Sequence, residues 1–214
     1  MLMTGVPETA KAGRGTTPGR WLGAGWNIVV GDLGNFVLMT LIALGLTLVA
    51  GFTLVGSLII AGPFLAGLFI AVRRSMQEGR SDLMDVFQGF NRFVDALLLG
   101  LVVLVFSLIG LAFCIIPFFI VGALYLFAFP FMIDRNLSFW EAMRSSRRVA
   151  RDELAGYVAF FFLLCLLNLV GLALAGVGIL ITIPVSVAAT AVAYQEVVGF
   201  QPQAAGTTGP IVIP

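Results

Sequence analysis

Between residues 35 and 74 the chain reads NFVLMTLIALGLTLVAGFTLVGSLIIAGPFLAGLFIAVRR, and no charge appears before the two closing arginines. An α-helix rises about 1.5 Å per residue and the hydrocarbon core of a bilayer is about 30 Å thick, so one crossing takes roughly 20 apolar residues. This stretch is too long for one crossing and long enough for two short ones. Gly45, Gly51 and Gly56 offer a place to turn back, so the expectation is a transmembrane helical hairpin. Two further uncharged blocks, 96–133 and 154–195, admit the same reading, with tips near Gly110 and near Gly171, Gly176 and Gly178. The expected fold is an all-α polytopic membrane bundle of six transmembrane helices arranged as three hairpins.

Composition supports a bilayer as the solvent. The chain is 60% hydrophobic and only 11% charged, where a soluble domain carries about 25% charged residues. A net charge of +1 names no partner, and no basic run is interleaved with exposed aromatics outside a membrane context, so no nucleic-acid partner is expected. Residues 1–19 are rich in Gly, Thr and Pro and lack the apolar core of a cleaved signal peptide. They are expected to form a disordered cytoplasmic tail, as are residues 201–214, with the membrane domain between them at 20–200. The first hairpin would then serve as an uncleaved targeting signal. Cys114 and Cys165 sit in apolar runs and read as small buried hydrophobes; nothing in their spacing supports a disulfide.

A short polar segment precedes each apolar block. In 21–31, Trp21, Leu22, Trp26, Val29 and Val30 recur at helical spacing. In 83–94, Leu83, Val86, Phe87, Phe90 and Val94 are expected to line one face and Asp85, Gln88 and Arg92 the other. In 139–151, Phe139, Trp140, Met143, Val149 and Ala150 are set against Arg144, Arg147, Arg148 and Arg151. Each reads as an amphipathic helix at the membrane surface, with Trp21, Trp26 and Trp140 as interfacial anchors. Ser138 and Glu141 have capping-box spacing, and Ser81-Asp82 reads as a helix start. Pro63, Pro117 and Pro184 are each placed near the start of a return helix, where the missing N–H disturbs little. The pattern recurs about every 60 residues and suggests a threefold repeat near 20–80, 81–137 and 138–200. All 12 lysines and arginines lie outside the hairpin tips. The positive-inside rule therefore places both termini in the cytoplasm of a bacterial inner (plasma) membrane.

Chemistry is sparse. The chain has no histidine, which removes the commonest general base and metal ligand. It shows no HExxH, GxSxG or P-loop pattern. No catalytic residue, metal site or cofactor is expected. Asn168 is the clearest mid-span polar residue, serving either an interhelical hydrogen bond or a substrate contact. Gly171, Ala175, Gly176, Ala188, Ala189 and Ala193 favour close helix packing over a pore. The face formed by Arg144, Arg147, Arg148 and Arg151 suits anionic lipid headgroups, at about 1 kcal/mol per charge near the surface; the alternative is a solvated topology anchor. Asp82, Asp85, Asp134 and Glu141 read as counter-charges to arginine.

One resemblance stands out. Leu137-Ser138-Phe139-Trp140-Glu141-Ala142, followed by Ser145-Ser146, resembles the "LS-x-x-EA-x-x-x-S" stretch of bacterial multipass membrane proteins. These are related to the membrane domain that accompanies some glycerophosphodiester phosphodiesterases. DLMDVFQGF (82–90) and Cys114-Ile115-Ile116-Pro117 are similar to the matching "dlf-x-gF" and "IIPG" stretches, with Phe118 where glycine is usual. The resemblance implies six helices and no settled function. It transfers no catalytic residues, because the hydrolase activity would belong to a separate soluble domain that this chain has no length to contain. The leading expectation is a non-enzymatic membrane protein acting through partners: membrane lipids, a second copy of itself or another membrane protein. A small transporter or channel for an uncharged or lipidic substrate is the alternative, with an intramembrane enzyme third. A water-filled cavity lined by Asn168, Ser107 or Thr47 would favour transport.

Overall fold

The computed structural model describes residues 16–50, 54–113, 115–174 and 176–201, and the side chains of all of these except 48–59 and 107–116. Most of the tails expected at 1–19 and 201–214, the tip expected at Gly51, and the side chains of Ser107, Cys114 and Ala175 lie outside the described residues. The described chain is mostly helical and includes no strand. Its elements are α1 (Pro18–Gly31), α2 (Leu33–Ala50), α3 (Leu54–Glu78), α4 (Asp85–Gln88), a 3₁₀ turn (Gly89–Arg92), α5 (Phe93–Phe113), α6 (Ile115–Tyr125), α7 (Ala128–Asp134), α8 (Phe139–Asp152), α9 (Leu154–Ala173) and α10 (Ile179–Val197). Among the described residues four stretches are long and apolar enough to cross a membrane: Asp85–Phe106, Pro117–Asp134, Leu154–Ala173 and Ile179–Val197. A fifth arises if α1 and the first part of α2, bent by 94° at their junction, count as one broken span.

Neighbours in sequence pack together: α2 on α3, α5 on α6, α9 on α10. The tip between α9 and α10 closes at Gly176, whose φ of +77° suits a residue without Cβ. Its N–H donates to the Leu172 carbonyl at 3.0 Å, satisfying one orphan acceptor at the helix end. Gly110, expected at a tip, lies inside α5, and the helix runs on to Phe113. Pro117 does open the return helix α6. Pro63 and Pro184 do not open theirs; both sit inside α3 and α10. There each proline removes one ladder bond.

The core falls into two clusters. One gathers Trp21, Phe127, Phe131, Tyr157, Phe160 and Tyr194; the other gathers Val29, Phe36, Met39, Phe64, Phe69 and Val72. α10 serves both, giving Ala189 and Ala193 to the first and Val185, Ala188 and Ala191 to the second. Because lipid is as apolar as leucine, close fit rather than removal from water holds such helices together. Small residues supply that fit. Gly25 of α1 leaves no room for a methyl, whose carbon would stand 2.5 Å from the backbone nitrogen of Ala189. Gly62 and Gly67 of α3 likewise lie against the carbonyls of Ala96 and Val86.

Two of the polar segments depart from the surface-helix expectation. α1 does not lie across the end of the bundle. Trp21 meets Glu196 and Gly25 meets Ala189, so α1 runs antiparallel along α10. It also begins at Pro18, with proline in the first turn, so the expected tail boundary at residue 19 falls inside structure. Thr16 is already engaged, its N–H donating to Glu153 at 2.9 Å. In the second segment Asp85 faces inward, fully buried, while Phe87 and Val94 are exposed. Helix α4 starts there rather than at Ser81-Asp82, and Asp82 instead accepts from the Met84 N–H at 3.0 Å.

The third segment, α8, is the strongly amphipathic helix expected. The Ser138–Glu141 capping box forms in both directions. Its inner face, Ala142, Met143, Ser146 and Ala150, covers a break between α6 and α7. Pro130, third in α7, cannot donate to Leu126 and its ring would collide with that carbonyl, so the helix is interrupted at 126–127. Ser146 fills the interruption. Its hydroxyl donates to the Leu124 carbonyl at 2.8 Å and accepts the Phe127 N–H at 3.1 Å.

Candidate functional site: the arginine face of α8

With Ala142, Ser146 and Ala150 pinned inward, the opposite side of α8 must point out of the bundle. Helical residues three and four apart share a face. Arg144, Arg148 and Arg151 do so and are exposed, and Arg147, beside them, is half-buried. Trp140 belongs to this side, one turn before Arg144, and not to the apolar side where the sequence reading put it. It is about half exposed, and the Arg144 guanidinium lies 5.2 Å from its ring centroid, within cation–π range.

Outside this face four of the described arginines are paired with carboxylates, and Arg80 and Arg135 are not. Arg20 pairs with Glu196, Arg73 with Asp134 at 3.2 Å, Arg74 with Asp85 at 2.7 Å and with Glu78 at 3.1 Å, and Arg92 with Asp95 at 2.8 Å. Among the described residues, none of Arg144, Arg147, Arg148 and Arg151 has a carboxylate within 4 Å. Glu141, three residues before Arg144, is held chiefly by the hydroxyl and N–H of Ser138, which keep its carboxyl below the usual carboxylate range, with a smaller pull from Arg144 itself. The result is four guanidiniums on one helix, none of them within 4 Å of a described carboxylate, with Glu141 acting on Arg144 at longer range.

The other expected site residues have structural partners. Trp26 is exposed, as an interfacial anchor requires. Trp21 is not: its ring is enclosed, stacked on Tyr157 at 6.2 Å and edge-on to Phe160 at 5.1 Å, and its Nε1–H donates to Glu196 at 2.8 Å. Burial withdraws it from any headgroup. Asn168 donates to the Ser186 hydroxyl of α10 at 2.7 Å and to the Leu164 carbonyl at 2.8 Å. Thr47 bonds back to Ala43 in its own helix at 2.7 Å. Asp85 and Asp134 do act as counter-charges to arginine.

The sequence reading missed the junction around Asp134. This side chain, fully enclosed, takes the Arg73 guanidinium, the Tyr194 hydroxyl at 3.0 Å and the Gln201 N–H at 3.1 Å. Arg73 also lies over the Phe200 ring at 5.4 Å. The junction ties α3, α7 and α10 to the start of the C-terminal segment. Two clefts open on this polar part of the protein. One, of about 400 Å³, is lined by Asn35, Arg74, Glu78, Arg80, Ser81 and Asp82. The other, of about 150 Å³, lies by Arg73, Arg74, Gln77, Asp85 and Gln88. Neither touches Asn168 or Thr47. Among the described residues no group of three or more acidic or Cys side chains is placed to hold a metal ion.

Comparison with known proteins returns no match: no family model, curated protein or solved structure is similar to this chain.

Proposed function

We propose that this chain is a non-catalytic, multi-pass protein of the bacterial inner membrane that works by holding anionic lipid on the arginine face of α8. In this reading it crosses the bilayer six times as three hairpins, with both termini in the cytoplasm. The observation that carries the reading is clustering: Arg144, Arg147, Arg148 and Arg151, none with a described carboxylate within 4 Å, stand together on one helix, whereas the other unpaired described arginines, Arg80 and Arg135, lie apart. A guanidinium is a planar fork that bonds phosphate oxygens in pairs, and Trp140 beside it suits headgroup depth. The basic residues support the orientation, since all of them lie in the polar segments.

The resemblance to the membrane domain of glycerophosphodiester phosphodiesterases belongs to the same proposal, as a shared scaffold. Four positions of the first stretch have structural tasks here: Ser138 and Glu141 cap α8, Ala142 is buried in its inner face, and Ser146 fills the break in the neighbouring helix. Protein partners, a second copy or another membrane protein, would meet the outward side of α9, where Phe162, Leu166, Leu169 and Val170 are exposed.

The test compares the native chain with a variant carrying Arg144→Gln, Arg147→Gln, Arg148→Gln and Arg151→Gln. Co-purified lipid and binding to anionic vesicles are measured at low and moderate salt. The expected result is lower retention of anionic lipid by the variant, and weaker binding by the native chain as salt rises. Equal retention by both would sink the proposal and leave the arginines as topology anchors.

A further inference from the structure

Independently of α8, we infer that the junction around Asp134 is a site for an oxyanion of the phosphate class, held shut by the turn that follows α10. The charges at this junction do not balance. Among the described residues Asp134 is its carboxylate, with the side chain fully enclosed, and it takes the Arg73 guanidinium at 3.2 Å. Arg135 brings a second guanidinium. It bonds the Tyr194 hydroxyl, which in turn donates to Asp134 at 3.0 Å, and no described carboxylate lies within 4 Å of it. Two positive charges thus share one negative charge. Each arginine also keeps a buried Nε–H that no protein group accepts. A buried donor without a partner and an uncompensated positive charge are both costly. One oxyanion answers both, because guanidinium N–H groups bond phosphate oxygens with the assistance of charge.

The turn after α10 fills the place of that anion. Gly199, at φ +78°, donates its N–H to the Tyr194 and Gln195 carbonyls and folds the next two residues back onto the junction. The Phe200 ring packs against Tyr194 at 5.7 Å and Phe69 at 6.4 Å, and the Arg73 guanidinium lies over it at 5.4 Å. Gln201 accepts from Arg73 through its carbonyl at 3.3 Å and donates its N–H to Asp134 at 3.1 Å. The carbonyl gives Arg73 an oxygen but no charge, at a distance beyond the usual hydrogen-bond range. An oxyanion would supply both, so it competes with Gln201 for Arg73. A way in exists: the cleft of about 150 Å³ has Arg73 in its wall. The other charges in that wall, Arg74 and Asp85, are already paired with each other at 2.7 Å.

The test uses the full-length protein in mild detergent and reads amide exchange at residues 199–201. Inorganic phosphate is compared with chloride at equal ionic strength, and short-chain phosphatidic acid with short-chain phosphatidylcholine. Phosphate, free or lipid-borne, should displace the turn and speed exchange at Gln201 about tenfold; whichever of the two arms responds identifies the source. Phe200→Ala with Gln201→Pro loosens the turn and should tighten phosphate binding about tenfold. Arg135→Gln breaks no ion pair and should weaken binding about tenfold or more. The variant with all four α8 arginines changed to glutamine should respond as the native chain does, so that failure of this site and failure of the α8 reading are told apart. Equal responses to phosphate and chloride, no response in either arm, or a response lost in the α8 variant would each overturn the anion site. Phosphate binding left unchanged by Phe200→Ala with Gln201→Pro would overturn its closure by the turn.

Discussion

Gly89 in the 3₁₀ turn lies directly against the backbone of α3, so that a methyl carbon on it would overlap the Pro63 carbonyl and stand 2.5 Å from the Gly67 nitrogen. Both neighbours are backbone, which cannot rotate away. Gly89→Ala should therefore destabilise the protein by about 1–3 kcal/mol through overpacking, read as a lower melting temperature in detergent. Gly45→Ala is the control: nothing lies within 4 Å of its added methyl, and it replaces glycine in a helix interior, so stability should hold or rise by up to about 1 kcal/mol. Equal losses from the two changes would refute the close approach.

Removing the Ser146 hydroxyl leaves the Phe127 N–H and the Leu124 carbonyl without that partner at a buried break. Ser146→Ala should cost about 1–3 kcal/mol, whereas Ser145→Ala, on the half-exposed side of α8, should cost little. Amide exchange at 126–128 is the sharper readout. It should accelerate in the Ser146 variant alone.

Glu141 gives a pH dependence confined to the start of α8. Its folded carboxyl titrates lower than in the unfolded chain because the Ser138 hydroxyl, and then the Ser138 N–H, bond the charged form. The capping contribution is thus complete above the unfolded glutamate value of about 4.3 and is lost as pH falls through the lower folded value. Exchange of amides 138–142, corrected for intrinsic rate, should rise on acidification. The rise should be missing in Glu141→Gln, which has no proton to gain.

Asn168 and Ser186 should be energetically coupled if their contact is interhelical glue. A double-mutant cycle with Asn168→Ala and Ser186→Ala should return about 0.6 kcal/mol, and at most about 1.7 kcal/mol. Strict additivity would show that the hydrogen bond contributes nothing and would reopen the substrate-contact alternative.

For the proposed topology, reporters inserted between Phe113 and Ile115, at Gly176 and at Gly51 should report the far side of the membrane, and a C-terminal reporter the cytoplasm. Gly110 is a poor insertion site because it lies within α5. A cytoplasmic signal from any of the three tips would break the six-span arrangement.

What the sequence disclosed is local. Uncharged runs marked apolar helices, and Ser138 with Glu141 marked a cap, because both signals lie within a few residues of their effect. Trp140 was legible too: four residues before Arg144, it belongs by helical spacing to the arginine side, and grouping it with Phe139 overrode that period. Pro130 likewise signalled the break at 126–127. Other features had no local signature. The burial of Trp21 depends on Glu196, Tyr157 and Phe160, and the inward turn of Asp85 depends on Arg74. Gly62, Gly67 and Gly89 look in sequence like Gly45, yet they form a seam between helices, because only the partner backbone distinguishes a contact glycine from a free one.

The pairing of α1 with α10 sets an order of assembly. Trp21 and its acceptor Glu196 lie 175 positions apart, and Gly25 has no Ala189 to meet until α10 has been made. Helix α1, synthesised well before α10, is thus not fully packed until α10 arrives. Until then its tryptophan and its glycine notch stand open to lipid, to a chaperone or to another chain.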